Sequence, residues 1–291
     1  MNLLTRVRSR LEQQFGASFP RCAHSGCEYR ALWRRLLPVH GIQLQQQWYC
    51  SPQCFEHAAR RCFSRASTTP AAPPRGQHRI PLGLVLLSRG QLSNAQLRSA
   101  LQAQRESGRG RIGQWLEKLG FATEQQVTAA MGMQWACPVL PASAVGSATD
   151  FAATLPIGLL ESFRMLPVHF SRERVLYLAF SEGVDYTALY AIEQALQCRT
   201  EACLIGTTTM DAALARLAQH RREADYRFGD WLSDAEMARI TCGCVIKFGA
   251  REVRIVACGE YVWARLETES GPTNLLFRRS GTGVQRSVAN G

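Results

Sequence analysis

The sequence predicts an α+β fold built from several small modules, and three observations favour it. Residues 80 to about 136 carry apolar residues at helical spacing in two similar stretches. Residues 165–180 run apolar or alternate on either side of a turn, and residues 234–280 hold one helical stretch followed by three strand-like ones. With 291 residues, of which 46% are hydrophobic and 20% charged, the chain can bury more than one core.

Positive charge is concentrated at the N-terminal end. Residues 1–79 hold 12 arginines and 3 acidic residues, a net charge of +9, whereas residues 80–291 hold 22 basic and 20 acidic groups. The N-terminal stretch MNLLTRVRSRLEQQF predicts a basic amphipathic helix that packs on its neighbours or contacts an acidic partner or membrane surface. Because no apolar run reaches the length of a membrane span and no secretory signal is recognisable, we expect a cytoplasmic protein.

Four cysteines near the N-terminus have the spacing of a structural zinc site. Cys22 and Cys27 form a C-x4-C pair, and Cys50 and Cys54 form a C-x3-C pair after a 22-residue spacer. Thiolates in two short pairs suit tetrahedral zinc, which would also stabilise a segment too small to fold alone. The spacing differs from that of the Cys2His2 finger that reads DNA bases. Residues that could replace one of the four ligands are His24, His40, His57 and Cys62.

The second cysteine pair, in WYCSPQC, resembles the knuckle of treble-clef-like zinc fingers, in which the last cysteine opens a helix. The resemblance implies a helix in the residues that follow Cys54. A catalytic zinc would need an open coordination position beside a general base. Glu56 is close in sequence, but that alone is weak support, and a structural site is favoured. The remaining cysteines are expected to be core residues; they are Cys62, Cys137, Cys198, Cys203, Cys242, Cys244 and Cys258.

Composition and periodicity divide the chain into modules. Residues 1–63 form the basic zinc-binding module, and residues 64–79, rich in Ser, Thr, Pro and Ala, form a linker. Residues 80–222 form a central domain that ends in a hairpin (MLPVHF and VLYLAF), a helix (DYTALYAIEQALQ), a strand (TEACLIG) and a helix (TMDAALARLAQH). Residues 223–280 form a small α+β module, with a helix closed by Gly249 and strands EVRIVACG, YVWARLETES and TNLLFRR. Residues 281–291 are expected to be a disordered tail.

One short stretch of sequence occurs twice, at 81–90 and again at 111–120. PLGLVLLSRG in the first place and RIGQWLEKLG in the second share an apolar residue, Gly, Leu and Gly at positions 2, 3, 6 and 10. A capping signature follows each copy, Ser93-x-x-Gln96 and Thr123-x-x-Gln126. Each copy is therefore predicted to be a short helix, a glycine cap, a short connector and a second helix, over residues 81–104 and 111–134.

Repeated packing accounts for the leucines and caps of the two copies. It leaves two features without a reason: Gln104 and Gln134 end the copies at the same position, and Gly83 and Gly113 weaken the helix starts by about 1 kcal/mol. A ligand with twofold symmetry would meet two equivalent half-sites here.

RIGQWLEKLGFATEQQVTAAMGMQ resembles the cyclic di-GMP-binding repeat of MshEN domains, the N-terminal domains of type II secretion and type IV pilus assembly ATPases. The resemblance extends over about residues 80–220 and implies that cyclic di-GMP binds between the repeats. Pro81 departs from the family's arginine at position 1, and Arg79 is its candidate substitute. The implied ligand-binding residues are Arg79, Leu82, Gly83, Leu86, Leu97, Leu101, Gln104, Arg111, Ile112, Gly113, Leu116, Val127, Met131 and Gln134.

The last module, MARITCGCVIKFGAREVRI, is similar to the start of the second N-terminal domain of these ATPases. No P-loop is present, because Lys118 and Lys247 follow Glu117 and Ile246 and not the glycine that a P-loop requires. We therefore expect a non-catalytic cyclic di-GMP receptor or adaptor, with a protein partner from a secretion or pilus system. The alternatives are a ligand-free protein-interaction scaffold and a zinc-dependent nucleic-acid-binding regulator.

Overall fold

The computed structural model describes residues 22–27, 41–68, 79–145, 155–219, 225–229 and 231–279. The expected N-terminal helix, His40 and the expected tail at 281–291 lie outside these residues. The fold is α+β, as predicted. Its helices are α1 Pro52–Thr68, α2 Leu82–Ser88, α3 Asn94–Ser107, α4 Ile112–Lys118, α5 Glu124–Trp135, α6 Ile157–Phe163, α7 Tyr186–Leu196, α8 Thr207–Gln219 and α9 Asp234–Phe248.

The strands form two sheets. Their bounds are β1 Ile42–Leu44, β2 Gln47–Tyr49, β3 Met165–Phe170, β4 Val175–Phe180, β5 Arg199–Leu204, β6 Asp225–Phe228, β7 Glu252–Cys258, β8 Tyr261–Thr268 and β9 Gly271–Arg278. One sheet has the order β2-β1-β7-β8-β9-β6, and the other has the order β3-β4-β5. Every described helix is too short or too polar to cross a membrane.

The chain divides into two compact units. The first combines Met1–Thr69 with Tyr226–Ser280, and the second contains Pro70–Asp225. The segment with the four cysteines and the C-terminal module, predicted as separate, therefore share one unit. Their connection is strand pairing, because β1 lies parallel to β7 with Gln43 opposite Glu252.

In the described part of the first unit, one face of the sheet packs against two helices and forms a core with them. Helices α1 and α9 pack on each other and on the sheet, and Phe55, Phe63 and Phe277 are fully buried there. The Phe63 and Phe277 rings meet edge to face at a centroid distance of 5.4 Å. The short cysteine-containing segment cannot bury this apolar helix face by itself, which explains why it shares the core of the C-terminal strands.

Helix α1 continues into the predicted linker. Residues 64–68 form its last turns, with Ala66 buried and the Ser67 hydroxyl 3.0 Å from a carboxylate oxygen of Asp234. Their Ser- and Thr-rich composition suggests a linker, yet Ala66 extends the apolar face of the helix after Phe63.

The second unit begins with the predicted helical repeats. Helices α2 and α4 start and end at equivalent positions of the two copies, and α3 and α5 follow them with complete capping boxes at Ser93 and Thr123. Gly90 and Gly120, at positive φ, end the first helices as expected. The helices enclose one core that includes Leu86 and Leu116.

From β3 to α8, the second unit follows the predicted order of elements, whereas helix α6 before β3 was not predicted. Strands β3 and β4 form the expected antiparallel hairpin, and β5 joins β4 in parallel after the crossover helix α7. Helix α8 contacts the repeats, since the Thr208 amide and hydroxyl both donate to the Glu124 carboxylate, at 2.6 and 2.8 Å. The repeats and the α/β part therefore belong to one body.

Candidate functional site

The glycine at position 3 of each copy lies where two helices approach closely. A Cβ atom on Gly83 would be 2.6 Å from Cδ1 of Leu97, and one on Gly113 would be 2.9 Å from Cγ1 of Val127. Both glycines are buried. Helix packing therefore gives the reason for these glycines that the sequence pattern left open.

The glutamine at the end of each copy bonds to the start of the other copy. Gln104 Nε2 donates to the carbonyl of Gly110, and Gln134 Nε2 donates to the carbonyl of Ile80, both at 2.9 Å. Gly110 and Ile80 are the residues directly before position 1 of their copies. The two hydrogen bonds are thus equivalent and reciprocal, and they hold the copies in a twofold-related arrangement.

Position 1 differs between the copies. The Arg111 amide donates to Oε1 of Gln114 at 3.1 Å, which closes the helix start with a side chain. Pro81 has no amide hydrogen to donate, and the residue equivalent to Gln114 is Leu84, whose side chain is 51% exposed. The first copy therefore lacks both the cation and the polar cap of the second.

Arg111 extends towards the α/β part of the same unit. Its guanidinium lies 3.5 Å from the Glu182 carboxylate, and the side chain is 62% exposed. Glu182 is held more closely by Arg164, at 3.0 Å, and Arg164 also pairs with Asp211. Because the contact of Arg111 is long and exposed, it leaves the guanidinium largely available to an anion.

Arg79, the candidate substitute for the missing arginine, lies on an aromatic surface. Its guanidinium carbon is 3.3 Å from the ring centroid of Trp135 and 5.9 Å from that of Tyr186. Within the described part of the chain, no carboxylate pairs with Arg79. The cation is thus placed by stacking, with its N–H groups unused by an acidic partner.

The other predicted ligand-binding residues divide by exposure. Four apolar residues are buried in the core between the copies, with Leu86 and Leu116 fully inaccessible, and four others are half-buried. The buried ones support the site by packing and present little surface. The buried set is Leu82, Leu86, Leu116 and Val127, and the half-buried set is Leu97, Leu101, Ile112 and Met131.

Three residues beside the predicted site were missed. Trp135 directly follows Gln134, so its position at the end of the repeat could have marked it. Glu182 and Tyr186 reach the arginines from the segment after β4, and no local pattern connects them with the repeats.

The four predicted cysteines converge in the first unit. The sulfur atoms of Cys22, Cys27, Cys50 and Cys54 all lie within 4.8 Å of one another. Cys27 Sγ is 3.4 Å from Cys50 Sγ, which is 3.9 Å from Cys54 Sγ. Four thiolates about 2.3 Å from a tetrahedral zinc ion would be about 3.8 Å apart, so the cluster has the size of a metal site.

The local backbone brings the pairs together as in a zinc knuckle. The Cys27 amide donates to the carbonyl of His24, which turns the first pair, and the β1–β2 hairpin leads directly to Cys50. Cys54 lies in the first turn of α1, where its amide donates to the Ser51 hydroxyl at 3.2 Å. The helix expected after Cys54 is therefore confirmed.

Without a metal, the cluster favours protonated thiols. Burial and hydrogen bonds from Cys27 and Cys22 raise the pKa of Cys50, and burial raises the pKa of Cys54. A bound cation reverses this preference because it stabilises the thiolates. The donor set and its spacing thus fit a soft, tetrahedral metal ion.

The possible replacement ligands lie beside the cluster and outside it. The rings of His24 and His57 stack at a centroid distance of 5.3 Å, and among the described residues Nδ1 of His24 has no hydrogen-bond partner. Cys62 lies two turns after Cys54, half-buried against the core. The described ligand group contains the four cysteines, as the spacing predicts.

Comparison with known proteins finds similarity to solved structures. No protein-family model matches the chain, and no curated protein does. A structure described as MshE with cdg matches 47% of this chain and 99% of that chain, at 30% identity and a TM-score of 0.42. The N-terminal domain of XpsE matches 46% of this chain in two crystal forms, at 21% and 24% identity, with 92% and 91% of those chains covered and TM-scores of 0.36 and 0.31.

The 30% identity to MshE extends over 99% of that chain. The matched share is just under half of this chain. On that identity, the chain belongs to the family of MshEN, or GspE-like N-terminal, domains, to which it adds a zinc-finger-like cysteine cluster.

Proposed function

We propose that the helical repeats bind cyclic di-GMP and that the chain is a non-catalytic receptor or adaptor. The observation that carries the proposal is the reciprocal bonding of Gln104 and Gln134, which relates two copies of one motif by a twofold arrangement. A ligand made of two identical halves suits such a surface. The 30% identity to a chain whose structure is described with cdg supports the same ligand.

The two arginines would supply the charge that a cyclic dinucleotide requires. Arg111 is exposed at position 1 of the second copy, and Arg79 is the candidate cation of the first. Guanidinium groups pair with phosphate and stack on purine bases. The half-buried apolar residues and the glutamines would shape the surface around them. Cyclic di-GMP would favour the conformation that it binds more tightly, and a protein partner would recognise that conformation. We propose that this partner is a component of a secretion or pilus system.

The test is calorimetric titration of cyclic di-GMP into the full chain and its Arg111→Ala variant. We expect saturable binding, weakened in the variant by roughly ten- to a hundredfold, because one charge-assisted contact is lost. Arg98→Ala is the matched control: Arg98 is exposed on α3, and its side chain bonds within its own helix, to the Asn94 carbonyl. This control should bind as the wild type does.

Absence of binding by the wild-type protein would favour the ligand-free scaffold. Pro81 and the buried state of Leu86 and Leu116 are the observations that favour this second candidate, since they remove a cation and two contact residues from the surface. The repeats would then serve only to pack the helices together, and the chain would bind a protein partner instead of a dinucleotide.

We also propose that the four cysteines hold one structural zinc ion. Metal analysis of the purified protein should give about one zinc per chain, and Cys50→Ser should abolish it, because three thiolates leave the tetrahedral set incomplete. Cys62→Ser is the matched control, as Cys62 is a half-buried cysteine outside the cluster. Equal zinc content in the two variants would contradict this assignment.

The basic N-terminal portion keeps a nucleic-acid-binding regulator as a further candidate. Its net charge of +9 is the observation that favours it. Binding to duplex DNA should then fall steeply with salt, and it should weaken when residues 1–21, which hold 4 of the 12 arginines and lie before the cysteine cluster, are removed. No binding at low salt would exclude this function.

A further inference from the structure

The two copies of the repeat differ at two positions that the structure brings together. Pro81 replaces the arginine found at Arg111, and Trp135 stands where the other copy has Arg105. The residue two before position 1 is an arginine in both copies, Arg79 and Arg109. Only Arg79 therefore has an aromatic ring at the end of the partner copy on which to stack.

Two consecutive residues at the end of α5, Gln134 and Trp135, contact the segment that precedes the first copy. Gln134 donates to the carbonyl of Ile80, and Trp135 supports the guanidinium of Arg79 at 3.3 Å. Gln104 makes the equivalent backbone contact to the second copy, but the residue that follows it is Arg105 and not an aromatic residue. Arg109 is exposed, and its carbonyl accepts from Trp115.

The Trp135 ring packs against the backbone of a neighbouring loop. A Cβ atom on Gly183 would be 2.6 Å from the Trp135 ring, so the backbone at Gly183 lies directly against it. Tyr186 lies beside the ring at a centroid distance of 6.2 Å and is 47% exposed. The Trp135 ring is therefore supported by packing against Gly183, and Tyr186 at the edge of the aromatic surface is exposed to solvent.

We propose that Arg79, held on Trp135, supplies to the first half-site the cationic contact that Pro81 cannot make, and that Trp135 is its positioning residue. This inference rests on the proposed binding of cyclic di-GMP. Stacking leaves the second face of the guanidinium free to lie on a guanine base and leaves its in-plane N–H groups free to donate to a phosphate or to the base edge. Because the ring restricts the side chain in advance, less conformational entropy is lost on binding.

The proposal is tested by titrating cyclic di-GMP into the full chain and a set of variants. Arg79→Ala and Trp135→Leu should each weaken binding about tenfold or more, and the double variant should be no weaker than the single ones, because both changes remove one contact. Trp135→Phe keeps an aromatic face and should retain most of the affinity. Adding Pro81→Arg to Arg79→Ala should restore binding, because it returns the cation to position 1.

Arg109→Ala is the matched control, since it makes the same change at the equivalent position of the other copy. It should leave the affinity unchanged, because Arg111 serves that half-site. Wild-type affinity in both Arg79→Ala and Trp135→Leu would overturn the inference while leaving the proposed function intact, and so would a loss in Trp135→Leu alone. No binding by the wild type would overturn the proposed function and this inference with it.

Discussion

At the scale of single residues, the glycines at position 3 differ in what surrounds them. The atom nearest to a Cβ on Gly83 would be Cδ1 of Leu97, the end of a flexible, half-buried side chain. Next to Gly113 it would be Cγ1 of Val127, a β-branched residue only 5% exposed. Val has one strongly preferred rotamer in a helix, so it cannot move aside as Leu can.

Gly113→Ala should therefore destabilise the second unit by about 1–3 kcal/mol through overpacking. Gly83→Ala should cost clearly less, because Leu97 can turn away and alanine favours the helix by up to about 1 kcal/mol. Thermal unfolding measures both changes. Gly243→Ala in α9 is the control, since no atom lies within 4 Å of its added methyl group and the change should be neutral or stabilising. Equal costs for the two repeat glycines would contradict this account.

The repeated glutamines are visible in the sequence, but the groups that they contact are not. Gln104 and Gln134 stood out because they recur in register, whereas their carbonyl partners, Gly110 and Ile80, carry no side-chain signal. Glu182 could not be predicted at all, because its proximity to Arg111 depends on how the α/β part packs against the helices. The roles assigned to the ligand-binding residues stay predictions.

At the scale of elements, the cysteine cluster is connected to the large sheet through β1. The Gln43 amide donates to the carbonyl of Arg251, and the Gln45 amide donates to that of Val253, at 2.8 and 3.1 Å. The strand is a very short one, Ile42–Leu44, too short to stay in place without support at its ends. The cysteine pairs lie on both sides of the β1–β2 hairpin, so a bound metal would give that support.

Removing the metal with a chelator should therefore expose the backbone of β1. We expect hydrogen exchange at the Gln43 and Gln45 amides to speed up roughly a hundredfold or more, because structural zinc contributes folding free energy directly. The amides that pair β8 with β9 should keep their protection, because their strands do not depend on the cluster. The chelator should have no further effect on Cys50→Ser. Unchanged exchange at Gln43 would show that the strand holds without the metal.

Long elements with strong periodicity were predicted correctly, and short ones were missed. Helix α9 and strands β7 to β9 match the predicted stretches, and the β3–β4 hairpin lies where the turn was expected. Strands β1 and β2 have three residues each and β6 has four, which is too short for alternation to be visible. The parallel pairing of β1 with β7 joins distant parts of the chain and has no local signal.

At the scale of the whole molecule, the repeat-containing unit interrupts the sequence of the other unit. The end of α1 and the start of α9 meet in the first unit, where Ser67 bonds to Asp234 and the Arg279 guanidinium donates to the Ser67 carbonyl at 2.7 Å. In the first unit, the end of α1 therefore lies beside the start of α9 and the end of β9.

Replacing residues 70–224 by about ten Gly and Ser residues should leave a folded first unit. Such a linker spans about 17 Å on average. We expect one zinc per chain and a cooperative thermal transition, because the core of α1, α9 and the sheet is retained. A Cys50→Ser version of the shortened chain should lose both. A shortened chain that binds no zinc and melts without a transition would show that the first unit depends on the second.

The β1–β7 pairing also sets an order of events during synthesis. The Gln45 side chain donates to the carbonyl of Ile255, 210 residues further along the chain. At about 5–20 residues per second, the ribosome needs roughly 10–40 s to cover that distance. All four cysteines are synthesised long before β7. The β1–β2 hairpin therefore has an unpaired strand edge while the whole repeat-containing unit is synthesised. Early metal capture would keep that waiting hairpin from pairing with the wrong strand.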